Sequence, residues 1–256
     1  MMKKILHPFG SKEEKQKELE EIEKFQYVHK RNKDEVILAS SLGVNPTTKA
    51  GGTLTLLLTE KMWSHNKITD FADKITDKIL SSDKLKTSWK VSPGAQGKSS
   101  PMAKHNLVIL DDSGEKAIAM IVRHAHISSS SHYDIFSAEP VRSGQRPSSH
   151  QKYDKKPLYH LGKVQRDEDD KGFTMDMYSG KGGYEDDAFT MEDFSTGKFF
   201  EQDILLVRRA EKAAATLRRG RFPDGVVTPA WEGTVAPGID PLIILCLAAI
   251  YDDQQL

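Results

Sequence analysis

Residues 241–256 read PLIILCLAAIYDDQQL, and from Leu242 to Tyr251 this stretch is apolar on every face of a helix. Just before it, Asp240 is a good helix N-cap. Pro241 suits the first helical position because an N–H at that position makes no hydrogen bond within the helix, so its absence in proline costs nothing. A helix that is apolar all round must be buried on all sides, and this one is too short to span a bilayer. Because a flat sheet covers only one face of a helix, the segment predicts a closed or nearly closed barrel around it.

The residues upstream of this helix form short strand-like runs separated by turns. The clearest is a hairpin with strands at residues 105–110 and 116–127, joined by a turn at Asp111–Gly114. Gly114 can take the positive φ that such a turn requires. Many short strands with no βαβ spacing predict an antiparallel sandwich or barrel.

Four other stretches carry weaker patterns. Residues 67–80 have helical spacing, but we favour strand–turn–strand, and the Ala-rich residues 208–220 predict a strand or, equally, a short helix. Residues 180–187 are Gly-rich and predict a flexible loop, and residues 141–156 predict a long polar loop.

The N-terminal part differs in composition from the rest. A capping box at Ser11–Glu14 opens a run of good helix formers with a thin apolar stripe, which predicts a solvated helical arm with one docking edge. A partner-binding helix is the alternative. Residues 40–52 are rich in Gly, Pro, Asn and Thr, which is typical of a linker. We therefore expect an arm and linker at residues 1–51 and a barrel domain at residues 52–256.

The composition excludes several classes of protein. Lys plus Arg equals Asp plus Glu at 37 each, so no global field recruits nucleic acid, and a charged ligand needs a local patch. The single cysteine, Cys246, allows neither an intramolecular disulfide nor a cysteine-based zinc site. The N-terminus lacks the apolar core of a signal peptide, and no stretch is long enough for a membrane-spanning helix. These features predict a cytoplasmic protein, which a lipid ligand would place at the membrane periphery.

Five motifs make the order of elements similar to one known group of proteins. They are LTLLLTEKMW (54–63), LVILDDSGEKAIAMI (107–121), YDIFSAEP (133–140), PLYHLGKV (157–164) and VAPGIDPLIILCLAAIYDD (235–253). The chain resembles the tubby C-terminal-like superfamily, to which phospholipid scramblases are related, and most closely its LURP-one-related branch. The resemblance implies a mainly β fold, a tubby-like antiparallel twelve-stranded β-barrel enclosing a central hydrophobic C-terminal α-helix. Members are variously linked to phosphoinositide binding, lipid scrambling and plant defence, so the family implies no single activity.

One group of basic residues is dense enough to suggest a binding site. Arg suits bidentate recognition of phosphate, and a patch of this size could hold a phosphoinositide headgroup. Tubby proteins use a basic pocket for that purpose, although their motif residues are not clearly matched here. Ordinary solvated surface is the alternative. The candidate lipid-binding residues are Arg208, Arg209, Lys212, Arg218, Arg219 and Arg221.

Two further clusters resemble metal sites. His124 and His126 share one face of a strand, and His132 or Asp134 would supply a third ligand. We favour a polar barrel face over this site. The acidic run 167–170 lacks the ligand spacing of an EF-hand and predicts a solvated turn. We therefore predict neither a metal nor another cofactor.

The sequence carries no recognisable catalytic motif. Cys246 lies inside the apolar helix, where a thiol is inert, and the chain has no G-x-S-x-G elbow, no P-loop and no G-x-G-x-x-G. We predict a non-enzymatic module that binds anionic phospholipid. The alternatives are a soluble protein-binding scaffold or regulator, in defence or signalling, that uses the N-terminal helix and the long loops, and a scramblase-like protein. The last requires the C-terminal helix to enter a bilayer, and its length is against that.

Overall fold

The structure is a computed structural model of the 256-residue chain. It describes residues 12–31, 35–38, 54–60, 85–93, 105–110, 117–124, 132–153, 155–166, 172–180, 183–194, 202–220 and 230–255. Within them, α1 spans Lys12–Ile22 and α2 spans Pro241–Gln255. Neither helix combines the length and the apolar character needed to cross a membrane. Residues 67–80 and the acidic run 167–170 lie outside the described residues.

Most of the described chain is strand. The strands are β1 (Leu54–Glu60), β2 (Leu85–Pro93), β3 (His105–Leu110), β4 (Ala117–His124), β5 (His132–Ser137), β6 (Lys152–Tyr153), β7 (Lys156–Pro157), β8 (Tyr159–Arg166), β9 (Gly172–Gly180), β10 (Gly183–Asp193), β11 (Gln202–Arg209), β12 (Lys212–Gly220) and β13 (Ala230–Val235).

The strands other than β6 and β7 follow one another around a ring. Their order is β1-β13-β12-β11-β10-β9-β8-β5-β4-β3-β2, and the ring closes because β1 pairs with both β13 and β2. Among the described strands of the ring, only β1 and β2 pair in parallel. The predicted mainly β class and its antiparallel sheet are confirmed. The tubby-like barrel of twelve strands stays a prediction, since the ring has eleven strands in the described part of the chain.

Helix α2 is buried on every side over most of its length. Each residue from Leu242 to Ile250 is 1% exposed or less. These side chains share one hydrophobic cluster with apolar residues from every strand between β3 and β13 except β6 and β7. Burial at this level matches the requirement of a helix that is apolar all round.

The start of α2 has the predicted capping geometry. The backbone N–H of Leu242 donates to Asp240 Oδ1 at 2.9 Å, and that of Ile243 donates to the Asp240 carbonyl at 3.2 Å. Asp240 therefore satisfies two of the helix N–H groups that have no partner within the helix. Its side chain is buried, so this cap also gives the carboxylate a partner inside the fold.

The N-terminal arm packs against the same end of the barrel. Phe25, where φ is +38°, and Leu38 are buried in the main hydrophobic cluster. The N–H of Leu38 donates to Asp240 Oδ2 at 2.5 Å, and the N–H of His29 donates to the Pro237 carbonyl at 2.9 Å. One carboxylate thus caps α2 with one oxygen and holds the arm with the other.

The structure decides one prediction that was left open, for residues 208–220, and corrects another, for residues 180–187. Residues 212–220 form strand β12 rather than a short helix, because a two-residue turn at Ala210 and Glu211, both with positive φ, returns the chain along β11. Hairpin pairing and burial of Ala214 and Ala215 in the core outweigh the helix propensity of alanine. The loop prediction for residues 180–187 is wrong at Gly180, the last residue of β9, and from Gly183 onward, where the chain pairs with β9 as part of β10.

The close approach of the arm to residue 238 can be tested with a matched pair of glycines. Gly238 has φ +83°, and a Cβ there would lie 2.1 Å from the carbonyl oxygen of His29, whereas Gly144 has φ +79° and no atom within 4 Å. We expect Gly144→Ala to lower the free energy of unfolding by about 1–2 kcal/mol through backbone strain alone. Gly238→Ala should lower it by at least about 3 kcal/mol, because the arm must also move. Urea denaturation of both variants measures the difference, and equal losses would contradict the tight packing of the arm.

Candidate functional site

The predicted basic residues are not gathered in one patch. Arg208 lies opposite Ala213 in the β11–β12 hairpin, and Arg218 lies opposite Ile204. These positions are four residues apart along β11, which corresponds to roughly 13 Å at about 3.4 Å per residue. Lys212 lies next to the turn, at the start of β12. Arg219 is also on β12, but the structure does not describe its side chain, and Arg221 lies outside the described residues.

Arg218 is held by a carboxylate from the arm. Its Nε donates to Glu23 Oε1 at 3.1 Å and its Nη2 donates to Glu23 Oε2 at 2.6 Å. Thr216, two residues earlier on the same face of β12, donates its hydroxyl to Glu23 Oε1 at 2.7 Å. Arg218 and Thr216 therefore form an oxyanion site, a pair of side chains that donate hydrogen bonds to a negatively charged group. In this structure that group is the carboxylate of Glu23.

The other three described basic residues also have partners. Arg208 forms an ion pair with Glu192 on β10 at 3.1 Å. The Arg209 side chain is only 9% exposed; it lies over the Phe189 ring and 3.7 Å from Glu35. The ammonium group of Lys212 lies 3.3 Å from the centre of the Tyr27 ring. These basic side chains thus mainly make contacts within the chain.

His29 joins the arm to the same hairpin. Its Nε2–H donates to the Ala213 carbonyl at 2.8 Å, and its ring meets the Tyr27 ring edge-on. Burial lowers the pKa of His29 below its ordinary value; the hydrogen bond to Ala213 acts to raise it, and the charges of Arg209 and Lys212 lower it further. The imidazole is therefore neutral under conditions in which an exposed histidine would be partly charged.

A second group of polar side chains lies on the outer face of β4, β5 and β8. His124 on β4 is paired in register with His132 on β5, and Asp134 follows two residues later on the same face. The rings of His124 and His132 stack with centroids 4.6 Å apart and planes at 9°. His124 Nε2 lies 2.8 Å from Asp134 Oδ2, and His160 Nε2 on β8 lies 3.4 Å from Asp134 Oδ1. We call His124, His132, Asp134 and His160 the histidine–aspartate cluster.

This cluster is partly shielded from water. The side chains of His124, Asp134 and His160 are each about a quarter exposed. The Tyr184 hydroxyl lies 2.7 Å from His160 Nδ1. Burial raises the pKa of Asp134, but the hydrogen bond and charge of His160 and the charges of His124 and His132 outweigh burial and lower that pKa overall. Asp134 is therefore a carboxylate well below neutral pH.

An open cavity of about 270 Å³ adjoins the cluster. The segment after β5 forms one of its walls and is tied to β8, because Gln145 Nε2 donates to the His160 carbonyl at 2.7 Å. The cavity thus places water and small solutes beside Asp134 and His160. Its lining residues are Asp134, Phe136, Gln145, Arg146, Ser148, Ser149, His160 and Tyr178.

The sequence identified part of this cluster. His124, His132 and Asp134 were candidates because they lie near one another in the chain, while His126 falls outside the described residues. His160 was missed because it comes close only when β8 pairs with β5, which sets it opposite Phe136. Tyr184 was missed because it is on β10 and reaches His160 only through the pairing of β8 with β9 and of β9 with β10. Alternation along β8 could have indicated that His160 faces outward, but the neighbouring strand is not evident from the sequence.

Comparison of the chain with protein-family models, with curated proteins and with solved structures finds no match in any of the three. The resemblance to LURP-one-related proteins stays a prediction from the five motifs. Function therefore has to be argued from the chemistry of the chain's own sites.

The lowered pKa of His29 predicts a pH-dependent stability. Because the folded-state pKa lies below the ordinary 6.5, the unfolded chain takes up the proton first, and stability present above pH 6.5 is lost as the pH falls through the folded-state pKa. His29→Gln keeps a side-chain N–H for Ala213 but cannot titrate. Melting temperatures measured between pH 8 and pH 5 should fall more steeply for the natural protein than for this variant. Parallel curves would show that His29 does not contribute.

Proposed function

We propose that this protein is a non-enzymatic LURP-one-related, tubby-like module that binds anionic phospholipid headgroups, phosphoinositides among them, from the cytoplasmic side of a membrane. The observation that supports this is the oxyanion site of Arg218 and Thr216, which holds Glu23 through three hydrogen bonds. An arginine fork that fits a carboxylate in two-point geometry fits a phosphate equally well. The headgroup would replace the Glu23 carboxylate at this site.

The arm's contact at this site is of a kind that a ligand could displace. Helix α1 is mostly exposed, with Leu19 as its fully buried apolar residue. The Glu23–Arg218 pair is itself part-exposed, so solvent and salt screen part of its attraction. A phosphate carries more charge than a carboxylate and attracts arginine more strongly. Release of α1 alone would leave Phe25, His29 and Leu38 in place on the barrel.

The proposal narrows the set of lipid-binding residues. Arg218 is its centre, and Arg219 and Arg221, which follow it closely in the chain, stay candidates. Lys212 lies beside the turn, at the other end of the hairpin from Arg218, and contacts Tyr27, so we assign it to the docking of the arm. Arg209 is buried against Glu35, and Arg208 is paired with Glu192, so we assign both to the stability of the hairpin.

A soluble protein-binding scaffold is the second candidate. It is favoured by the outer side of α1, where Glu14, Gln16, Lys17, Glu20 and Glu21 are exposed while Leu19 and Glu23 face the barrel. A scramblase-like activity has less support, because it needs α2 in a bilayer and α2 is buried within the core cluster.

Liposome co-sedimentation tests the lipid proposal, with neutral vesicles compared with vesicles containing phosphoinositide at low and physiological salt. We expect salt-sensitive binding to the anionic vesicles only. Glu23→Ala should strengthen this binding roughly 2- to 5-fold, the equivalent of an exposed ion pair of up to about 1 kcal/mol. Arg218→Gln should abolish most of it, with circular dichroism confirming that the variant is folded.

Glu192→Ala is the matched control, because it frees Arg208 from its partner as Glu23→Ala frees Arg218. The control should bind lipid as the natural protein does. Equal gains in the two variants would mean a general charge effect and would contradict the Arg218 site. If neither the natural protein nor any variant binds vesicles, the lipid proposal is overturned and the protein-binding scaffold becomes the working proposal. A pulldown with the natural chain as bait, compared with a chain that carries substitutions on the exposed face of α1, is then the next experiment.

A further inference from the structure

The histidine–aspartate cluster is separate from the proposed lipid site, and its composition suits another ligand. Ligand atoms of His124, His132 and Asp134 all lie within 4.8 Å of one another. The three residues stand on two neighbouring strands, so the backbone fixes their spacing. We propose that His124, His132 and Asp134 bind a divalent transition-metal ion of the zinc class, with His160 and Tyr184 as the residues that position Asp134.

The geometry needs only small side-chain movements to receive an ion. Zinc bonds of about 2.0–2.2 Å in a tetrahedral site place two ligand atoms roughly 3.4 Å apart. His124 Nε2 and Asp134 Oδ2, now 2.8 Å apart, would separate by about half an ångström to admit the ion. The stacked rings of His124 and His132 are nearly parallel, so one must turn about χ2, a broad torsion for histidine.

The donor atoms select the class of ion. Two imidazole nitrogens and one carboxylate suit zinc, copper, nickel and iron, whereas calcium and magnesium prefer sites made entirely of oxygen. An aspartate side chain is ionised at neutral pH, so Asp134 offers a carboxylate oxygen to the ion. Three protein ligands leave a fourth position for water, which the adjoining cavity can supply through its opening at Asp134.

His160 and Tyr184 resemble the outer partners that orient metal ligands in proteins. When the Tyr184 hydroxyl donates to His160 Nδ1, the proton of His160 must be on Nε2, which faces Asp134 Oδ1. This contact at 3.4 Å places His160 beside Oδ1 and leaves Oδ2 for the ion. The Nε2 atoms of His124 and His160 are both buried from solvent, which strengthens such contacts. Outer partners of this kind typically change metal affinity by 10- to 100-fold.

Isothermal titration calorimetry of the full, chelator-treated chain with zinc chloride tests the proposal. We expect one zinc ion per chain, with binding at least about tenfold weaker in Asp134→Asn and in His124→Ala. Tyr184→Phe, which removes only the hydroxyl that orients His160, should weaken binding less than either ligand variant does. Cobalt should replace zinc and give the visible absorption of a four-coordinate site, and calcium and magnesium should not bind.

His150→Ala is the matched control, because it removes an exposed histidine outside the cluster. It should bind zinc as the natural chain does. Loss of binding in this control, with the cluster variants unaffected, would show a surface site elsewhere and overturn the proposal. Absence of zinc binding by the natural chain would overturn it as well. Neither outcome bears on lipid binding, since the two sites share no residue.

Discussion

The structure depends on the need to keep a helix that is apolar on all sides away from water. Helix α2 has no polar face to turn outward, so every direction around it must be covered by apolar side chains. The ring of strands does this by turning alternate residues inward, and the inward residues of β3 to β13 form one cluster with the helix. The other faces of the same strands carry polar groups and a smaller apolar cluster, and both proposed sites lie there.

The polar end of the buried helix is the point at which the arm becomes part of the fold. Asp240 must be buried because it caps α2, and a buried carboxylate needs partners for both oxygens. The backbone N–H of Leu242 donates to one oxygen, and that of Leu38, from the arm, donates to the other. Gly238 is required beside it because the arm's backbone passes too close for any side chain. Residues about 200 positions apart in the chain are therefore joined through one side chain.

The two proposed sites use the rigid wall of the ring in different ways. On β12, Arg218 and Thr216 hold a carboxylate that belongs to the chain, so a ligand must compete with the arm. On β4 and β5, the donor atoms come from strands whose register sets their spacing, so an ion would need only side-chain movements and no displaced segment. Binding at the first proposed site would thus require movement of α1, whereas binding at the second would leave the backbone unchanged.

The sequence by itself determined the mainly β class, the buried C-terminal helix and its cap at Asp240, because periodicity, composition and capping act over a few neighbouring residues. It also named three of the four residues of the histidine–aspartate cluster, since His124, His132 and Asp134 belong to one hairpin. Only the tertiary structure decided that His160 and Tyr184 join them, that residues 212–220 form a strand, and that Arg208, Arg209, Lys212 and Arg218 have separate partners. Those outcomes depend on which distant strands pair and in what register, and on where the arm docks. Such contacts depend on the free energy of the whole fold, so local sequence patterns do not predict them.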